Sequence, residues 1–189
     1  MKSLGIRIYG DRVLRSQSEL VRDFGGDLNP FLEQMVETMV IEGGVGLAAP
    51  QVGVSKQIAV INPEPEDNTT LIKMINPRIV TRSEETETLE EGCLSIPGIR
   101  GNVARSSAVE VAYQDEEGRE HTVKAEGLLA RIIQHEIDHL DGILITDYAR
   151  PFDITPEFLV AVSIPVVALF IEMRFLLTKR GRPKAEELE

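Results

Sequence analysis

The chain holds a single cysteine, Cys93, in 189 residues, so no disulfide can form within it. That suits a reducing compartment, where thiols stay free. An excess of basic charge is also missing. Twenty Lys and Arg stand against 31 Asp and Glu, giving a formal net charge of -11. Broad nucleic-acid binding needs a basic face to neutralise phosphates, and this balance argues against it. The opening stretch MKSLGIRIYG lacks the apolar run of a signal peptide, so the expected location is cytoplasmic. GVGLAAPQVG is glycine-rich, but no Gly-Lys-Ser/Thr follows, which excludes a phosphate loop. No internal repeat or low-complexity linker divides the chain. Its length suffices for one domain with a proper core.

What is present reads as α+β. NPFLEQMVETMVIEGG predicts an amphipathic helix, with Phe31, Leu32, Met35, Val36, Met39 and Val40 on one stripe. Asn29 is the expected N-cap, Pro30 fits the first turn, and Gly43 or Gly44 ends the helix. QIAVIN, LIKMIN and RIVT read as strands, while VGLAAPQVGVS reads as a loop. AVEVAYQ and REHTVK flank DEEG, the pattern of a hairpin. Residues 126–141 predict a second helix with Gly142 as its stop. The Glu-rich stretch 84–91 reads as a solvated edge that runs into the EGCLS segment.

The second helix carries QHEIDHLDG, residues 134–142. Residues four apart on a helix share a face, with Cβ atoms about 5–6 Å apart. His135 and His139 can therefore aim at one metal, and Glu136 can reach a water on it. An exposed polar face is the bland alternative. Against it, two of only three histidines fall in this pattern, behind the apolar Leu128, Leu129, Ile132 and Ile133. Unpaired polar groups in a buried helix are costly, whereas coordination satisfies them. His121, in the hairpin, reads as surface. A catalytic metal needs a third protein ligand. No histidine lies downstream of His139; Glu157 and Glu172 do, and Cys93 stands upstream. A thiolate is a strong ligand, although a lone cysteine is more often a small buried hydrophobe.

Three segments together resemble the peptide deformylase family: GVGLAAPQ (44–51), EGCLS (91–95) and QHEIDHLDG (134–142). The resemblance spans roughly residues 5–148 and includes the N-terminal IYGDRVLR. It implies mostly antiparallel strands around a central HExxH helix. It implies a catalytic domain over 1–150 and an atypical C-terminal extension over 151–189. The implied activity is metal-dependent hydrolysis that removes the N-formyl group from formyl-methionine of new proteins. By motif position Cys93, His135 and His139 bind the metal, and Glu136 is general base, then general acid, for a metal-activated water that attacks the formyl carbon. The side-chain amide of Gln51 and the backbone N–H of Leu94 stabilise the oxyanion. Val45, Gly46, Glu91 and Arg131 are the expected substrate-binding residues. Val45 and Gly46 would pair with the peptide backbone, and Arg131 would flank the methionine pocket with its aliphatic stem. Arg105 is the suspected partner of Asp138. The resemblance implies Fe(II), with Zn(II), Ni(II) or Co(II) able to take its place; spacing alone suggests zinc. The alternative is an HExxH metallo-endopeptidase that uses Glu157 or Glu172.

The tail departs most from the family pattern. FLVAVSIPVVALFI (158–171) is apolar but for Ser163, and shorter than the roughly 20 residues of a membrane span. Extension to 177 would bury Glu172 and Arg174. The expectation is packing on the core or a homodimer through 158–177; the alternative is membrane-surface association. Lys179, Arg180, Arg182 and Lys184 follow, similar in charge to the basic tails with which some family members make transient ribosome contact.

Overall fold

Alternating and β-branched stretches form seven strands over residues 3–65 and 67–148, the residues that the computed structural model describes. In chain order they are β1 (Gly46–Ala48), β2 (Ile58–Ile61), β3 (Ile72–Arg82), β4 (Thr86–Gly92), β5 (Arg100–Ser106), β6 (Ala108–Gln114) and β7 (Glu120–Glu126). Three α-helices accompany them: α1 (Leu28–Ile41), α2 (Gly127–Leu140) and α3 (Ile145–Tyr148). The described residues lie within one unit, Met1–Ile154. The stretch 158–177 and the basic residues after it, with every expectation placed on them, lie outside the described residues. Among the described residues no helix is long and apolar enough to cross a membrane.

Five strands form an antiparallel sheet in the order β1-β2-β3-β6-β7, and β4 and β5 pair as a separate ribbon. The α+β class expected from the sequence is the class observed. LIKMIN and RIVT are one strand rather than two. It bulges at Asn76–Pro77, where Asn76 has φ 51° and the register with β6 shifts. Proline cannot donate to a ladder, and a bulge accommodates it. Asn76 offsets the break, because its side chain accepts from Val21 N at 2.8 Å and donates to Val21 O at 2.9 Å and Gln114 Oε1 at 2.7 Å.

Both predicted helices form, with shifted ends. α1 starts at Leu28 after Asp27, not after Asn29, and the Asp27 side chain makes no capping bond. Its buried face is Leu28, Leu32, Met35, Thr38 and Met39. Val36 is half-buried at the stripe's edge, and Val40, one turn on, is exposed. α2 ends at Leu140 with Asp141 as its cap, and Gly142, the predicted stop, follows directly. That residue has φ +75°, and a Cβ there would meet the backbone of Arg15 at 2.8 Å, so only glycine fits.

Three apolar clusters set the layers. α1 packs with β1, β2 and Ile75. Ala130, Ile132, Ile133 and Ile137 of α2 pack on Ile61, Met74, Val109, Val111 and Ala125 of the sheet. Val103 of the ribbon packs with Leu14, Ile96, Leu144 and Ile145. The metal motif of α2 lies where sheet and ribbon meet.

Candidate active site

Helical spacing brings His135 and His139 together, with ring centroids 4.9 Å apart. Cys93 comes from the turn after β4, closed by Ile96 N donating to Cys93 O at 2.9 Å. Its Sγ lies 3.2 Å from His139 Nε2. One donor atom from each of Cys93, His135 and His139 falls within 4.8 Å of the others. A thiol and two imidazoles at this spacing fit one borderline divalent ion with a position left open.

His135 donates from Nδ1 to Glu91 Oε2 at 3.1 Å, which leaves Nε2 for the site. Burial disfavours the charge on Glu91, but His135 and Arg105 outweigh it and hold the carboxyl at about 2. Burial likewise opposes the charged form of His135, yet bonds to Cys93 and Glu91 raise it to about 10. Burial, with His135 and Arg105 nearby, drives His139 well below its ordinary value, so its imidazole is neutral. A metal binds deprotonated donors and so competes with the proton on His135.

Glu136 is buried, and its Oε2 has no hydrogen-bond partner among the described residues. Burial pushes its carboxyl up to about 7, with Glu91 and Asp138 adding to the rise against His135 and Arg105. A cation at the Cys93 cluster would act the other way and favour the carboxylate. Gly46 makes room for this group, since a Cβ there would collide with Glu136 Oε1 and meet Ile132 Cγ2 at 2.9 Å.

Gln51 is buried in the short 3-10 turn Ala49–Val52, and its amide is fixed from both ends. Oε1 accepts from Ala48 N at 2.8 Å, so Nε2 faces Ser95 Oγ at 3.3 Å and Cys93 Sγ at 3.6 Å. Leu94 follows Cys93 directly in the turn after β4. Val45 is partly exposed and precedes β1, an edge strand of the sheet.

Glu91 and Arg131, expected beside substrate, are instead buried and turned on each other. Arg131 donates to Glu91 Oε1 at 2.7 Å, to Val103 O at 3.0 Å and to Glu87 O at 2.7 Å. Arg105 grips Glu91 with two bonds, at 2.6 and 2.8 Å. The physical reason is charge: a guanidinium and a carboxylate in a dry seam pair with each other before they line a groove. Arg105 also meets Asp138 at 2.8 Å, as suspected from the sequence. Tyr148 was not anticipated; its hydroxyl donates to the same Asp138 Oδ2 at 2.9 Å, over the Arg105 guanidinium. Ser95 was also missed, and its only sequence signal is its place in EGCLS. His121 is exposed, as expected, and pairs with Asp115 at 2.7 Å.

Cys93, His135 and His139 around one point, with a buried carboxyl group on the same helix, form a cluster that could hold one metal ion, as the site of a mononuclear metallohydrolase does. The family model described as Polypeptide deformylase matches residues 3–154, and the chain belongs to that family. A peptide deformylase of Thermodesulfovibrio yellowstonii is 47% identical over 152 residues, covering 80% of this chain and 92% of that protein. The crystal structure of peptide deformylase from Thermotoga maritima superposes with a TM-score of 0.76 at 42% identity, covering 80% of this chain and all of that one. A peptide deformylase from Synechococcus elongatus in complex with actinonin gives 0.77 at 44% identity, covering 82% and 83% of the two chains. The protein is a hydrolase that removes N-formyl groups in a metal-dependent reaction. Family membership decides against the endopeptidase alternative, and Glu157 and Glu172 lie outside the described residues.

Proposed function

We propose that Cys93, His135 and His139 hold one Fe(II) ion and that Glu136 moves the proton in deformylation of formyl-methionyl nascent peptides. The observation that carries this reading is the Cys93, His135 and His139 donor set, with one donor atom of each within 4.8 Å of the others, together with a buried Glu136 oxygen that has no partner among the described residues. When bound, the ion supplies Lewis-acid polarisation and eases ionisation of a water. Zn(II), Ni(II) and Co(II) suit the same donors.

Glu136 accepts the proton of the attacking water and delivers it to the leaving amine. Gln51 Nε2 and Leu94 N–H donate to the oxygen that becomes negative as the tetrahedral centre forms. The bond from Ala48 N to Gln51 Oε1 holds the amide in the donating orientation before substrate arrives. Val45 and Gly46 offer the open edge of β1 to an extended peptide, the geometry of strand addition. The protein works in the cytoplasm, where its substrates are made.

The test is formate release from formyl-Met-Ala-Ser by protein loaded anaerobically with Fe(II), and separately with Zn(II). Turnover with Fe(II) exceeding that with Zn(II) is expected. No formate release with any divalent ion would overturn the reading.

A further inference from the structure

The two halves of the Cys93, His135 and His139 site come from different parts of the fold. Cys93 follows the ribbon strand β4, and the histidines sit on α2. The apolar side chains of the two parts go elsewhere. Ile132, Ile133 and Ile137 pack on the five-stranded sheet, while Val103 packs with Leu14, Ile96 and Leu144. The seam between α2 and the ribbon is polar. Arg131, Gln134 and Asp138, spaced by three and four, form one stripe of α2 and all face the ribbon. Gln134 clasps Ser106 through its N at 3.2 Å and its O at 2.9 Å. Asp138 takes Arg105. Arg131 reaches both strands, at Glu87 O of β4 and Val103 O of β5, and also Glu91.

Glu91 has about four acceptor sites as a carboxylate, and four donors fill them. Oε1 receives Arg105 Nε and Arg131 Nη1; Oε2 receives Arg105 Nη2 and His135 Nδ1. Arg105 belongs to the ribbon and links Glu91 to α2 only at second hand, through Asp138. Arg131 stands one turn before His135 on the same helix. It therefore indexes Glu91, and with it the Cys93 turn, to the helix that carries the histidines.

We infer that Arg131 is a positioning residue for the metal site, setting the geometry of Cys93 against His135 through Glu91 and the ribbon backbone. It touches neither ion nor substrate. The inference rests on Cys93, His135 and His139 being the ligands.

The test uses Arg131→Met, which keeps bulk and removes all donors, and Arg131→Lys, which keeps the charge toward Glu91 but cannot also serve both carbonyls. Each is loaded with Co(II), and transfer of the ion to a chelator is followed well below the unfolding temperature. Metal release from Arg131→Met is expected to rise roughly tenfold, the low end for loss of a group supporting a ligand. Its thiolate-to-Co(II) absorption band should shift, and kcat should fall with little change in KM. Arg131→Lys should lie between Arg131→Met and the parent in all three. Release within twofold of the parent and an unchanged spectrum in Arg131→Met would overturn the inference, whatever the loss of stability. If Arg131→Met does not fold, Arg131→Lys decides by the same two readouts. Cys93→Ala is the control for the ligand assignment: if it keeps the ion and its band, the ligand reading fails, independently of Arg131.

Discussion

α1 and α2 are each 14 residues long, and they bury different chemistry. α1 buries Leu28, Leu32, Met35 and Met39, with Thr38 the one polar member. α2 buries Arg131, Gln134, Glu136, Asp138 and His139 beside its apolar residues. Non-directional burial seats the first helix, and it tolerates small shifts. Directional bonds index the second to the ribbon, and they fix one register. Within α2 the polar residues divide again. Arg131, Gln134 and Asp138 all bond to the ribbon, whereas Glu136 Oε2 and His139 Nδ1 are buried without hydrogen-bond partners among the described residues. Within α2, the buried polar groups with partners hold the helix to its neighbours, and the two atoms without them belong to the candidate site.

The largest effect sharpens that division. Glu136→Gln keeps the shape and cannot accept the water's proton. We expect turnover to fall by roughly 10²- to 10⁴-fold, the usual contribution of a general base, with metal content unchanged. Formate release beside metal analysis reads this, and near-native turnover at full metal occupancy would remove Glu136 from its role.

Leu32→Ala is the counterpart on α1, at a fully buried side chain. It should cost about 2–5 kcal/mol of stability in urea unfolding. Turnover per folded molecule should stay at the parent value. A parallel fall in kcat would mean that α1 shapes the site as well as the core.

Metal removal comes next. An ion that binds only the folded state adds about 2.7 kcal/mol at a hundredfold excess over its Kd. Chelation should therefore speed hydrogen exchange in the second half of α2 and in the Cys93–Ile96 turn, and leave α1 unchanged. Uniform loosening of both helices would show that the ion supports the whole fold.

Legibility in the sequence followed the same line. α1 was readable from its apolar stripe, β2 from its continuous apolar run, and the β6–β7 hairpin from the DEEG turn between its strands. β5 was not, although its burial alternates: the inward positions are Gly101, Val103 and Arg105, only one of them a large apolar residue. β1 has three residues, Gly-Leu-Ala, too few for any period. In the site, each donor residue stands in a short local motif, so Cys93, His135, Glu136 and His139 could be named. The roles of Glu91 and Arg131 could not. Glu91 meets Arg105 and Arg131 across 14 and 40 residues, and only the folded seam reveals that the charges face each other.

The smallest effect tests whether a buried polar group must be functional. Thr38 is fully buried on α1. Its hydroxyl donates to Gln34 O at 2.7 Å, one turn back, and accepts from Leu4 N at 2.9 Å. The first bond is the common back-bond of a helical threonine, and the carbonyl keeps its helical donor without it. Thr38→Val preserves the branched shape, adds a buried methyl and leaves the Leu4 N–H without its acceptor. The gain in apolar burial and the lost hydrogen bond nearly offset, so the net cost should be about 1 kcal/mol or less. The urea midpoint should drop slightly with an unchanged slope, and kcat/KM should equal the parent's. If Thr38→Val instead lowered kcat/KM tenfold with stability intact, a buried polar group of α1 would be serving the site, and the division drawn between the two helices would fail.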